Sequence, residues 1–334
     1  MTLHVAALPH TQVTREYAAC AYTQKVRRFI PMMEREGFDV QLHQHITRDE
    51  QRLLGFNGPE DYLKISFDGT LPIWQESNRR TIEAINASKA KGDVVCLIGG
   101  EPQQAIVDAV DLPCVEFGIG YIGTCQDTFK VFESHAWRHY VYGTQRADIN
   151  FFDEVIPNYY ELQDFPVVEE TGDYYAFVGR MIDKKGYRVA EDVCRQLGAE
   201  LVLVGLGDTP TYGDYRGMLG IEETIKVMAH AKALFVPTTY VAPFEGVHVE
   251  AQLCGTPVIT SDQGVFTETV TNGVNGFRCR MFADFVKAAE KAPRLDRQHI
   301  AASARLRWST RTVGRQFAEY FSRLATLTGA GWYA

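Results

Sequence analysis

Two short segments hold the residues best suited to chemistry. In Gly179-Arg-Met-Ile-Asp-Lys-Lys-Gly186, Arg180 directly follows the apolar run YYAFVG, and Lys185 lies five residues later in the turn before a helix. In Ala242-Pro-Phe-Glu-Gly-Val-His-Val-Glu250, running on through AQLCGTPVITSD, a glycine turn leads into a short helix that carries Glu250, and the strand PVIT follows. Two cations within reach of one diphosphate, together with the Gly246 and Val247 N–H groups at a helix start, can stabilise the charge that builds on a departing diphosphate without a metal. Each charge-assisted contact is worth about 1.5 to 3 kcal/mol. Taken alone, GRMIDKKG reads equally well as solvated loop charge; the second motif downstream favours the phosphate reading. A surface glutamate fits poorly at Glu250, because VEAQLCG is an apolar setting where an unpaired carboxylate is costly.

Positioning these groups falls to an alternation of short apolar runs with longer amphipathic ones. LHVAAL, then 16–36; DVQLHQH; 75–91; DVVCLIGG, then 102–110; and CVEFGIG, then 129–142, predict βαβ units on a parallel sheet. After ADINFFDEVIPNYYELQDFP the rhythm restarts: YYAFVG, a helix over 184–197, ELVLVG, a helix over 222–232, ALFVPTTY, a helix over 246–254, PVITSD and a helical tail. The seam falls near 156–172, where prolines and acidic residues show no clear period.

On these motifs the chain resembles the family-four retaining glycosyltransferases of the GT-B fold (glycosyl transferases group 1). The resemblance implies an α/β fold of two Rossmann-like doubly wound domains facing each other across a cleft. These are an acceptor domain over 1–160, a nucleotide-sugar donor domain over 161–310, and a C-terminal helix over 311–334 crossing back to the first. It further implies that Gly179, Arg180, Lys185, Gly246 and Val247 hold the donor diphosphate and that Glu250 accepts from the ribose hydroxyls. The base is expected near Val204 to Asp208 and Met218-Leu219, with Gly205, Gly207, Met218 and Leu219 as the contacts. One departure stands out: the family usually carries a glutamate at the position of Ala242 and glycine at that of Glu245. Glu245 therefore becomes the candidate sugar-binding carboxylate, supplied from a shifted place, and joins Arg180 and Lys185 in the catalytic set; the alternative is a helix-start cap. His248 is expected to pack away from the phosphates. Glu268 matches a region that closes over the donor in the family, or else is an acid of a helix N-terminus.

The first half is less informative. His10, Thr11 and Thr14 follow the first strand and would line a ligand cleft by position. The segment Gly118-x-Gly120-x-x-Gly123 matches a dinucleotide fingerprint formally, but TCQDTF is a poor helix start, and glycines that admit a close cleft wall explain it as well. His135 and His139 share a helical face, which suggests a metal pair, but no third ligand is evident; the competing readings are His135 facing the cleft and a packed histidine. Residues 294–323 hold seven arginines against Asp296 and Glu319. Trp308, Phe317, Tyr320 and Phe321 are expected to pack there, with the arginines as a solvated face; contact with an anionic acceptor is the alternative.

The net charge of −8 argues against holding nucleic acid or anionic membrane by bulk electrostatics. Seven cysteines without a C-x-x-C pair read as reduced, buried thiols, and with no signal peptide or membrane-spanning run the expectation is cytoplasmic. The expected function is metal-independent, retaining transfer of a sugar from a nucleoside-diphosphate sugar to an acceptor hydroxyl, without a cofactor. The acceptor is left open between a small molecule, a glycan, a lipid and a modified nucleic acid, and peripheral membrane contact is not favoured. Alternatives are a catalytically inactive nucleotide-sugar binding module, and a glycosyltransferase acting on modified bases in DNA.

Overall fold

The structure, a computed structural model, describes every residue except Ala18, Ala19, Pro59, Glu60, Tyr62, Leu63, Ile65, Ile149 and Ala334; part of the run expected over 16–36 thus lies outside the described residues. The chain divides into two compact units. One comprises Met1–Glu133, Arg138–Tyr159 and Thr310–Ala334, the other Ser134–Trp137 and Tyr160–Ser309.

In the first unit the strands are β1 (Thr2–Ala6), β2 (Asp39–His43), β3 (Val94–Leu97), β4 (Cys114–Ile119), β5 (Phe129–Phe132) and β6 (Glu154–Val155). All are parallel, in the order β2-β1-β3-β4-β5-β6. Helices α1 (Ala21–Arg35), α2 (Arg48–Leu53), α3 (Pro72–Ser88) and α4 (Gln104–Ala109) connect or follow them, and α5 (His135–Gln145) belongs to this unit from Arg138 on, its first residues being counted with the second. The stretch 129–142 is not one amphipathic run. Phe129–Phe132 adds a strand to β4, and the helix starts only at His135. Phe129, Val131 and Phe132 are three β-favouring residues out of four and suit a strand in a parallel sheet, and a run this short is not told from buried helix by periodicity alone.

The second unit holds β7 (Tyr174–Val178), β8 (Glu200–Val204), β9 (Asp214–Tyr215), β10 (Leu234–Val236), β11 (Val258–Ser261) and β12 (Gly276–Cys279). Its helices are α6 (Tyr187–Leu197), α7 (Ile221–His230), α8 (Gly246–Leu253), α9 (Phe266–Thr269), α10 (Phe282–Lys291) and α11 (Arg297–Trp308). The order β12-β11-β10-β7-β8-β9, again all parallel, is the doubly wound dinucleotide-fold order. Both faces of this sheet are covered. One apolar cluster includes Val202, Leu234, Val249 and Trp308, and another Phe177, Leu203, Phe235 and Ile259, so strands buried on both sides read as unbroken apolar runs. The expected helical tail is interrupted by β12.

The last helix, α12 (Thr310–Ala330), belongs to the first unit, where Val313, Phe317, Tyr320, Phe321 and Leu324 bury into one cluster with Val26, Phe29 and Met33 of α1. Gly314 permits the close approach: a Cβ there would stand 3.0 Å from Met32. The arginines of 294–323 are not simply a solvated face. Arg297 donates to the carbonyls of Val168 (3.0 Å), Ala231 (3.1 Å) and Ala229, Arg305 to those of Phe165 (2.5 Å) and Leu253 (3.4 Å), and Arg307 to that of Glu268 (3.0 Å). Each satisfies carbonyls left without partners at helix ends and loops, which count and spacing do not reveal. Arg323 pairs with Glu154 at 2.7 Å, and Arg294, Arg311 and Arg315 are exposed.

Candidate functional site

In an open doubly wound sheet the ligand site lies beyond the carboxyl ends of the strands where the order reverses, here between β7 and β10. Both sequence motifs emerge at that point. After β7 the chain runs through Gly179, whose N–H bonds to Val204 (2.9 Å), and Met181, whose N–H bonds to Leu206 (2.8 Å). This backbone pairing demands glycines. A Cβ on Gly205 would stand 1.9 Å from the Gly179 carbonyl oxygen, and one on Gly207 2.4 Å from that of Met181. Gly179, Gly205 and Gly207 are thus brought together, as the two loops after β7 and β8.

Arg180 is exposed at the end of β7, and its guanidinium forms no ion pair among the described residues. Lys185 ends a 3-10 turn, Asp183–Lys185, closed by left-handed Gly186; α6 begins only at Tyr187, later than expected. A Cβ on Gly186 would stand 2.2 Å from the Pro237 carbonyl oxygen, and Thr239 N–H bonds to Lys184 O at 2.9 Å. The turn is therefore seated against the loop after β10, which leads to Glu245.

Glu245 is the N-cap residue of α8 and takes left-handed backbone angles, φ 59° and ψ 62°, where a side chain costs about 1 to 2 kcal/mol relative to glycine. Its carbonyl accepts from His248 N–H (3.1 Å) and from His248 Nδ1 (2.6 Å), while Nε2 meets the Thr269 hydroxyl at 2.8 Å. His248 is fully buried, and that burial lowers its pKa to about 4 and keeps the ring neutral. The Glu245 carboxylate forms an ion pair with Lys185, whose Nζ lies 2.6 Å from Oε2 and also contacts Oε1. Oε1 further accepts from Thr238 Oγ1 (3.1 Å) and Tyr240 Oη (3.3 Å). Burial is the largest single influence on Lys185 and would lower its pKa, but the charges and hydrogen bonds of Glu245 and Tyr240 together raise it. Burial, then the Glu245 charge, raises the Tyr240 pKa, so its hydroxyl stays a donor. Thr238 and Tyr240 were missed in the sequence; their place just beyond β10 was the available signal.

Ala242 is buried, and the neighbouring Pro243 carbonyl accepts from Ser134 Oγ at 2.7 Å. Gly246 opens α8, so its N–H and that of Val247 have no acceptor within the helix and carry its positive end. Glu250 is half-buried one turn on, folded back over the helix start: a Cβ on Gly246 would stand 3.8 Å from Glu250 Oε1. Met218 is exposed. Leu219 lines a cavity of about 570 Å³ with Gly172, Tyr174, Lys226 and His230, at the amino end of β7 and away from Arg180. Glu268 caps α5, accepting from His135 N–H (3.0 Å) and Ala136 N–H (2.7 Å).

The first unit revises several expectations. The glycines of 118–123 make no dinucleotide loop. The Cβ place of Gly118 is taken by Lys25 (2.9 Å to Cδ) and that of Gly120 by Tyr22 (3.0 Å to Oη), both from α1. Lys25 forms a buried ion pair with Glu133 and donates to Gly118 O at 3.0 Å, a pairing without a local sequence signal. His10 is buried against Phe67 and Trp74, with ring centroids 5.7 and 6.1 Å away, and burial lowers its pKa to about 3; Thr11 is buried against Thr23, and Thr14 is exposed. His135 and His139 are both exposed rather than packed. Among the described residues no group of three or more His, Cys, Asp or Glu is arranged to hold a metal ion, and no helix is long and apolar enough to cross a membrane. All seven cysteines are buried and free.

Comparison with known proteins places this geometry. Residues 172–294 match the family model described as glycosyl transferases group 1. An uncharacterized glycosyltransferase of Methanocaldococcus jannaschii is 29% identical over 126 residues, a match covering 33% of this chain and 32% of that protein. The chain thus spans about a third of the length of that curated relative. Among solved structures, AviGT4, a glycosyltransferase involved in avilamycin A biosynthesis, superposes with a TM-score of 0.70 at 16% identity, covering 97% of this chain and 98% of that one. HepE of Anabaena, in complex with UDP and glucose, gives 0.70 at 15% identity, covering 97% and 100%. Sucrose-phosphate synthase from Thermosynechococcus elongatus gives 0.67 at 15%, covering 97% and 98%. At these identities the likeness is one of fold. The second unit therefore carries the glycosyl transferases group 1 pattern over residues 172–294, in a chain with the two-unit α/β fold of GT-B glycosyltransferases.

Proposed function

We propose that this protein is a glycosyltransferase that moves a sugar from a nucleoside-diphosphate sugar to an acceptor hydroxyl, with retention and without a metal. The observation that carries this reading is the convergence of the exposed Arg180, Lys185 and the start of α8 at the switch point between β7 and β10. As the bond from the anomeric carbon to the diphosphate breaks, negative charge builds on the β-phosphate. Arg180, Lys185 and the Gly246 and Val247 N–H groups stabilise it there. The acceptor oxygen bonds to the anomeric carbon, and its proton passes to the leaving phosphate on the same face, so no protein base is required. Glu250 holds the ribose. Glu245, whose carboxylate is fixed by Lys185, Thr238 and Tyr240, receives the sugar hydroxyls in place of the side chain absent at Ala242. Gly205, Gly207 and the Met218 backbone remain the candidates for the base, whereas Leu219 lines a cavity elsewhere.

Because HepE is solved with UDP and with UDP-glucose, uridine nucleotides head the test panel. A thermal-shift screen against UDP, GDP, ADP, CDP and dTDP and their glucose esters should show one base stabilising the protein. That donor should then be consumed by transfer or slow hydrolysis. Stabilisation by none of the ten ligands would overturn the reading; binding without turnover on any donor would favour an inactive binding module.

A further inference from the structure

We propose that Glu245 makes the site distinguish a nucleoside-diphosphate sugar from the free nucleoside diphosphate that remains after transfer, weakening the hold on the product. This rests on the donor-site reading above. In the free protein Lys185 is already engaged with a fixed carboxylate, and both are largely enclosed, with side-chain exposures of 17% for Lys185 and 7% for Glu245. The carboxylate is not free to swing aside. Its backbone is held by two hydrogen bonds from His248, and Oε1 by Thr238 and Tyr240. Thr238 is itself fully buried, its carbonyl held by Ser261 Oγ (2.5 Å) and Gln263 Nε2 (2.9 Å).

Any diphosphate that reaches Lys185 must therefore share it with Glu245. A carboxylate only accepts hydrogen bonds. A donor sugar brings hydroxyls that donate to it, and its β-phosphate is an ester with one negative charge fewer than a free terminal phosphate. The free nucleoside diphosphate brings the extra charge and no donors on that side, so anion faces anion where screening by water is poor. Transfer thus converts a ligand that satisfies Glu245 into one that Glu245 repels.

The test is isothermal titration of the wild type and Glu245→Gln at pH 7.5 with inorganic pyrophosphate, the five nucleoside diphosphates and their glucose esters. Glutamine keeps the shape and the acceptor but removes the charge. The expected result is pyrophosphate and the preferred nucleoside diphosphate binding at least about tenfold tighter to Glu245→Gln, while the sugar ester gains nothing or weakens. A purely structural role predicts the opposite sign, because loosening the loop should weaken every ligand. Tyr240→Phe, which retains the charge, should leave the preference of the wild type in place. If the wild type binds a nucleoside diphosphate and Glu245→Gln does not bind it more tightly, this proposal fails and the donor reading stands. If the wild type binds no nucleotide, both fail.

Discussion

Arg180 and Lys185 are assigned the same phosphates, yet their surroundings predict different consequences of removal. Arg180 is exposed and forms no ion pair among the described residues, so Arg180→Ala should change stability by no more than about 0.5 kcal/mol. Lys185→Ala strands the Glu245 carboxylate at 7% side-chain exposure, with only Thr238 and Tyr240 to satisfy it. Breaking one side of a fully buried pair costs about 3 to 5 kcal/mol. The remaining exposure of Lys185 reduces this to roughly 2 to 3 kcal/mol, or roughly 4 to 12 °C in the melting of a unit of this size. Removing the carboxylate as well, in Lys185→Ala/Glu245→Ala, should recover much of that loss despite deleting more atoms. Donor turnover should fall about 10²-fold or more in both single variants, since each loses one charge-assisted phosphate contact. Urea unfolding of the four proteins, with a donor-turnover assay alongside, checks the whole set. Equal destabilisation by the two single variants would refute the buried-pair argument, and full activity in either would refute the phosphate assignment.

Two further outcomes follow from the same geometry. Gly205→Ala places a Cβ 1.9 Å from a backbone oxygen at φ 142° and should cost about 3 kcal/mol or more, whereas Gly198→Ala at φ 61°, with nothing within 4 Å, should cost only about 1 to 2 kcal/mol; comparable unfolding midpoints for the two would contradict the close loop pairing. His248 has a folded pKa of about 4 against the ordinary 6.5, so the unfolded chain binds the extra proton between those values; its contribution is complete above about pH 6.5, lost as pH falls towards 4, and reduced by about 2 kcal/mol at pH 5. Denaturant titrations at pH 7.5 and 5 should show that loss in the wild type and a smaller one in His248→Gln, and an unchanged difference would mean that another group governs it.

Much of the second unit was legible in the chain. The alternation of apolar and amphipathic runs reflects strands buried on both faces, a constraint that the central residues of β7, β8 and β10 meet locally. The left-handed turns at Gly186 and Gly198 announce themselves by residue type. The first unit was less legible for a physical reason. Gly118 and Gly120 are glycines because of Lys25 and Tyr22, almost a hundred residues earlier, and nothing near them in sequence says so. Likewise the tail arginines look solvated until Arg297 and Arg305 are seen holding carbonyls of remote segments.

The sequence by itself determined which groups stand at the ends of which strands. Arg180 and Lys185 follow one apolar run and Glu245 to Glu250 another, because short-range patterning sets the strand, the turn and the helix start. What only the tertiary structure decided is that Lys185 and Glu245, sixty residues apart, form one ion pair. That pairing depends on β7 and β10 lying side by side at the point where the strand order reverses, and on a left-handed backbone at Glu245. Neighbourhood across a parallel sheet is set by the packing of whole units rather than by any local run of residues.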